Sequence, residues 1–156
     1  MRLCFIRIYN TFRTHKHNFS SSNIFIDLVN QRPLISGFTL SRKVDWDSVR
    51  HRENSLDARI WQAPERFGVG FPKYVAACDI YSYGILLLEV GCWEVLDEKQ
   101  FQNQDLEVMQ QTKEELVNWC NKMNIADYGG LVRGCISRIA NDRPCITDIR
   151  ERLEEI

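Results

Sequence analysis

The chain has 156 residues, 44% of them hydrophobic and 26% charged, enough for one domain that buries its own core without disulfide or metal staples. A formal net charge of -1 gives no global electrostatic case for nucleic acid or an anionic membrane as partner. No apolar run nears the roughly 18 residues of a membrane span; the longest candidate, Ile85 to Leu88, is closed by Glu89. We therefore expect a cytoplasmic protein.

Residues 1–14 are basic, with Arg2, Arg7 and Arg13 well ahead of the first acidic residue, Asp27. Such a segment is similar in composition to a mitochondrial transit peptide. The reading preferred here is a remnant or mis-started segment, because Leu3, Phe5, Ile6, Ile8 and Phe12 form a broken apolar element. Ile24-Phe25-Ile26 is β-prone, Asn30-Gln31-Arg32-Pro33 reads as a turn, and Leu34-Ile35 opens a second strand. From Ser41 to Ile60 the chain is polar and lacks periodicity, which predicts a long exposed loop. Phe67 to Tyr74, with Gly68, Gly70 and Pro72, predicts another.

The second half predicts helices. Asp79 is expected to cap one of them, and the apolar residues from Ile80 to Val90 cover almost every face, which makes that helix central and buried. Gln104 to Met123 carries Leu116, Trp119, Cys120 and Met123 at helical spacing. Tyr128 to Ile139 repeats the pattern with Leu131, Val132, Cys135, Ile136 and Ile139, and Ile146, Ile149, Leu153 and Ile156 form a last amphipathic stripe after Pro144. The six cysteines include no Cys-x-x-Cys pair and mostly occupy apolar positions, as buried free thiols in a reducing compartment do. The fold class is mainly α (α+β), one helical domain with a small β element at its N-terminal edge.

Three motifs stand in order: Ala63-Pro64-Glu65, then Asp79-Ile80-Tyr81-Ser82-Tyr83-Gly84, then Arg143-Pro144. Together they resemble the large lobe of protein kinases, and more narrowly the kinase-like proteins of filamentous fungi. The resemblance covers residues 15–156 and implies a catalytic-loop region at 15–26, an activation segment at 37–65 and a helical core at 76–156, with the small lobe absent. It implies structural roles for Ala63, Pro64, Glu65, Asp79, Gly84 and Arg143. Glu65 would pair with Arg143, and Asp79 would hold the catalytic loop from below.

The chemistry implied by the family does not follow. Phosphoryl transfer in kinases uses magnesium held by an Asp and an Asn, and a second Asp that accepts the hydroxyl proton. Aligned on Asn23, which matches the magnesium-binding Asn, the base position falls on Asn18, an uncharged residue that is no useful base near neutral pH. A one-residue shift gives His15-Lys16-His17 and still no carboxylate. Gly37, before Phe38, stands at the metal-binding Asp and has no oxygen to offer a hard cation. Gly68-Val69-Gly70 lacks a third glycine and reads as a turn rather than a phosphate loop. No catalytic residue is intact, no metal site is expected, and Asn23 is a residual cofactor contact.

The resulting expectation is a pseudokinase or binding module with no cofactor. A protein partner would cover the surface that includes Ile24, Phe25 and Phe38. The alternatives are an ATP- and magnesium-dependent kinase whose small lobe is supplied upstream or in trans, and an incomplete gene model with no independent function.

Overall fold

The computed structural model describes residues 14–15, 19–38, 41–43, 56–67, 75–97, 101, 104–122 and 127–155. Its hub is α1, Ala76–Cys92. Apolar residues on all faces from Ile80 to Leu88 leave this helix no side to show to water, and it is buried along that stretch. Val75 occupies the N-cap without a side-chain bond. Asp79 lies in the first turn rather than at the cap expected from the sequence, so its carboxylate does not start the helix. The end is sharply defined: Trp93 turns into the left-handed region at φ 55°, and its N–H reaches the carbonyls of Glu89 and Val90. Glu89, an acid inside an apolar helix, accepts the Leu96 N–H at 2.9 Å and so ties down the exit segment.

Among the described residues two helices, α2 (Leu106–Lys122) and α3 (Tyr128–Cys135), pack on this hub, and a further one, α4 (Ile146–Glu155), packs on α3. α3 lies so close to α1 that a Cβ on Gly84 would stand 2.6 Å from Cys135 Cβ and 2.7 Å from Ile136 Cγ2. Only glycine admits that approach without a shift in the core. Tyr128 at the start of α3 donates its hydroxyl to the Leu87 carbonyl at 2.6 Å, satisfying a polar group that would otherwise be buried bare. α3 ends at Cys135, before the expected limit, and leaves Ile139 exposed.

The face of α2 matches the expected one only in part: Cys120 is buried and Leu116 packs against the core, while Met123 lies outside the described residues. Met109, Lys113, Val117 and Cys120 are buried, while Trp119 is 43% exposed. Lys113 in the middle of the inward stripe hides it from a hydrophobic pattern search. The cysteines divide as well: Cys78, Cys92, Cys120 and Cys135 are buried free thiols, and Cys145 is exposed.

Among the described residues the β element comprises two small antiparallel sheets. β2, Ile24–Asp27, pairs with β3, Arg32–Ile35, with Ile24 opposite Ile35 and Asp27 opposite Arg32. β1, Thr14–His15, pairs with β4, Arg42–Lys43. Arg32 and Pro33, expected in the turn, belong to β3, and the turn is built by Asp27. Its Oδ1 accepts the N–H groups of Val29 and Asn30 and its Oδ2 accepts the Asn30 side chain. The predicted loop from Ser41 to Ile60 also ends in structure: Leu56–Trp61 is a 3-10 helix whose Ile60 and Trp61 enter the core.

Candidate functional site

Two groups of residues bear on function, one under the helical core and one at the open end of the β2–β3 hairpin. In the first, a 3-10 turn, Pro64–Phe67, presents Glu65 to Arg143. The pair is bidentate, with Arg143 Nη1 donating to Glu65 Oε1 and Nη2 to Oε2, both at 2.7 Å. Two of the three remaining guanidinium donors are also used. Nη1 reaches the Ala77 carbonyl at 2.8 Å and Nε reaches the Ser137 carbonyl at 2.9 Å. The guanidinium carbon lies 5.0 Å from the Tyr81 ring centre. One side chain thus joins the Pro-Glu turn, the first turn of α1 and the segment after α3. Burial pushes the Glu65 carboxyl upward, but the hydrogen bonds and charge of Arg143 outweigh it and hold the group below its ordinary value.

On the same tyrosine sits Lys113. It is 1% exposed, and its Nζ donates to the Tyr81 hydroxyl at 2.8 Å and to the Ile60 carbonyl at 3.0 Å. Among the described residues no carboxylate forms an ion pair with it. Desolvation lowers its pKa to about 7. A cavity of about 30 Å3 adjoins it, lined in part by Gln62, Phe67, Met109 and Arg138, with room for about two waters. Sequence reasoning passed over Lys113, and no local signal marks it, since both acceptors lie far away along the chain.

The other expected frame residues are placed as follows. Ala63 is buried, Pro64 opens the 3-10 turn, and Asp79 is 2% exposed within α1. Ser82, one turn on, donates to the Trp61 carbonyl at 2.7 Å and so fastens α1 to the segment leading into the Pro-Glu turn. Phe19 packs edge-on against Tyr83 with ring centres 5.7 Å apart, which seats the chain entering the hairpin on the same helix.

At the hairpin end, Asn23 and Gly37 face each other. The Ser36 N–H donates to the Asn23 carbonyl at 2.8 Å and its hydroxyl to the same oxygen at 3.2 Å. Asn23 Nδ2 donates to Ser20 Oγ at 3.2 Å. Gly37 has φ 72°, a conformation that residues with a side chain rarely adopt. A Cβ there would stand 2.4 Å from Asn23 Oδ1 and 2.6 Å from Asn23 Cγ. The amide of Asn23 fills the volume that a side chain at position 37 would enter.

The family described as protein tyrosine and serine/threonine kinase matches residues 13–153. The chain belongs to the protein kinase family. A comparison with curated proteins returns no match.

Kinase-family chemistry asks for oxygen ligands to magnesium, and the described residues do not fit that ion. Position 37 has no side-chain oxygen, which leaves Asn23 Oδ1 as the single side-chain oxygen of the matched pair; the Asn23 amide nitrogen bonds Ser20. Asp27 is committed to the hairpin turn, where its hydrogen bonds from the Asn30 side chain and backbone hold its carboxyl below the ordinary value. Among the described residues no group of three His, Cys, Asp or Glu side chains could hold a metal ion. Asn18, Lys16, His17 and the Gly68-Val69-Gly70 turn lie outside the described residues, as does the His15 side chain. No helix among the described residues is long and apolar enough to cross a membrane.

Proposed function

We propose that this kinase-family chain is a large lobe without phosphotransfer chemistry, a pseudokinase that works as a binding or regulatory module. The observation that carries this reading is the pairing of Gly37 with Asn23. The position matched to the metal-binding Asp has no carboxylate, and the space for one is taken by the amide of the other matched metal ligand. Asn18 at the matched base position adds a second missing charge. In this reading residues 15–156 form the lobe, with 15–26 as the catalytic-loop region, 37–65 as the activation segment and 76–156 as the helical core. It is similar to the degenerate kinase-like proteins of filamentous fungi. The protein acts in the cytoplasm and uses neither ATP nor magnesium. Its partner is a protein that covers the apolar side chains at and just after the hairpin, where Phe25 is 57% exposed and Phe38 also reaches solvent; Ile24, expected in the same surface, packs partly against the core.

The test is phosphate incorporation into a generic protein substrate with ATP and magnesium, together with the shift in melting temperature on adding ATP and magnesium. We expect no transfer above that of an Asn23→Ala control and no thermal shift, because a ligand that binds the folded state must raise its stability. Gly37→Asp should also remain inactive, since its carboxylate meets Asn23. Robust transfer that depends on Asn23 refutes the reading.

A further inference from the structure

The last turn of α1 and the last turns of α2 bring two sulfurs into contact. Cys92 Sγ and Cys120 Sγ lie 3.4 Å apart, and both residues are buried. Cys92 also lies 3.9 Å from the Leu116 carbonyl, one helical turn before Cys120. Gly91 makes the approach possible, because a Cβ there would stand 2.9 Å from Cys120 Sγ and 2.7 Å from Tyr128 Cε1. Without a side chain at position 91, α2 seats its cysteine directly against the end of α1. Among the described residues Cys78 and Cys135 have no such sulfur neighbour; Cys78 instead donates to Glu65 at 3.4 Å.

We propose that Cys92 and Cys120 are a reversible redox pair, closed to an intramolecular disulfide by hydrogen peroxide. Cys92 reacts first: it is 8% exposed against 1% for Cys120, and it borders Trp93, which leaves the helix into solvent. The Cys92 thiolate attacks one peroxide oxygen, the O–O bond breaks, and the hydroxide released takes up the thiol proton as water. The Cys120 sulfur then attacks the Cys92 sulfenic sulfur, the S–OH bond breaks, and a second water leaves with the Cys120 proton. The two thiols lose two electrons and the peroxide gains two. The sulfurs need only close from 3.4 Å to a bond of about 2.05 Å, a movement within reach of side-chain rotation.

Burial holds both thiols up, Cys92 to about 12, so the thiolate is scarce at neutral pH and the reaction is slower than at an exposed cysteine. That slowness suits a cytosolic pair that stays reduced until peroxide accumulates. The disulfide would close a loop between positions 28 apart and lock the end of α1 to α2. It thereby removes conformational freedom from the unfolded chain and raises the melting temperature.

The experiment treats the full chain with hydrogen peroxide, blocks remaining thiols, digests without reduction and maps linked peptides by mass spectrometry. We expect a Cys92–Cys120 link that dithiothreitol reverses, with a melting temperature several degrees above that of the reduced chain. The Cys145→Ser chain, which lacks the exposed thiol, should give the same link and the same shift. Cys92→Ser should abolish both. The proposal is overturned if peroxide leaves Cys92 and Cys120 as free thiols, carries Cys92 only to sulfinic acid, or joins either sulfur to another cysteine instead.

Discussion

Lys113 offers a direct test of the electrostatics under the helical core, through replacement by methionine. Lys113→Met keeps a long unbranched side chain at the same place and removes only the amine. The folded chain holds Lys113 near 7 against an ordinary value of 10.5. Between those values the unfolded chain carries more protons than the folded one, so this residue makes stability rise with pH. A displacement of about 3.5 units corresponds to roughly 5 kcal/mol of charge-burial cost at low pH. Integrated between pH 7 and pH 9, the cost relieved in the native chain is about 2 kcal/mol. The hydrogen-bond count agrees with a neutral amine: two acceptors, the Ile60 carbonyl and the Tyr81 hydroxyl, match two N–H donors rather than three.

Urea denaturation of both proteins at pH 7 and pH 9 reads the effect. We expect the stability of Lys113→Met relative to native to fall by about 2 kcal/mol over that range. Its sign at a single pH is less informative, because the substitution also strips two buried acceptors of their donor. The groups around the amine are Tyr81 from α1, Arg143 against the Tyr81 ring, Glu65 paired to Arg143, and Arg138 on the adjoining cavity. Burial raises the Tyr81 hydroxyl and Arg143 holds the Glu65 carboxyl low, so neither changes charge between pH 7 and 9. The buried thiols, with Cys78, Cys92 and Cys135 pushed up to about 12, lower stability as pH climbs toward and past their unfolded values. They do so in both proteins and cancel. Parallel pH profiles for the two chains would refute the argument.

Two further substitutions probe the rest of the frame. Arg143→Lys should cost about 3–5 kcal/mol in urea denaturation, since lysine can reproduce neither the fork on Glu65 nor the bonds to the Ala77 and Ser137 carbonyls. In the native chain Glu65 titrates below its ordinary value, so the pair contributes above pH 4.5 and is lost as pH falls through the folded value; Arg143→Lys should flatten that acid limb. Gly84→Ala should cost about 1–3 kcal/mol by overpacking against Cys135 and Ile136, seen as a lower melting temperature in differential scanning calorimetry.

What could be read in the sequence depended on whether the signal was local. α1 was legible because a helix buried on every side announces itself by apolar residues on almost every face from Ile80 to Leu88. α2 was legible as a helix but only in part in its orientation. The stripe through Leu116, Trp119 and Cys120 looked inward, whereas Lys113 is buried and Trp119 reaches solvent. A lysine is buried only when acceptors wait for it, and the Ile60 carbonyl lies 53 positions away. The Glu65–Arg143 contact spans 78 positions and was suggested only by the family resemblance, never by periodicity. At the hairpin, the resemblance singled out Gly37 and Asn23 separately. That the amide of one fills the space beside the other depends on the φ of Gly37, which no residue pattern encodes.

The charges under the core balance without help from the nucleotide side of the fold. Tyr81 stands between two basic side chains, with Arg143 against its ring and Lys113 on its hydroxyl. Glu65 supplies one negative charge and is already committed to Arg143 through two short bonds. A fully charged Lys113 would leave this buried group with an excess positive charge and no counter-ion within ion-pair distance among the described residues. A neutral Lys113 leaves it balanced, which is the direction in which desolvation drives the amine. Every bond in that network is made among the 3-10 helix Leu56–Trp61, the Pro-Glu turn, α1, α2 and the segment between α3 and α4. None of it runs through Asn23 or Gly37. The bonds of this helical frame are therefore independent of positions 23 and 37, which is what the proposed reading as a binding module requires.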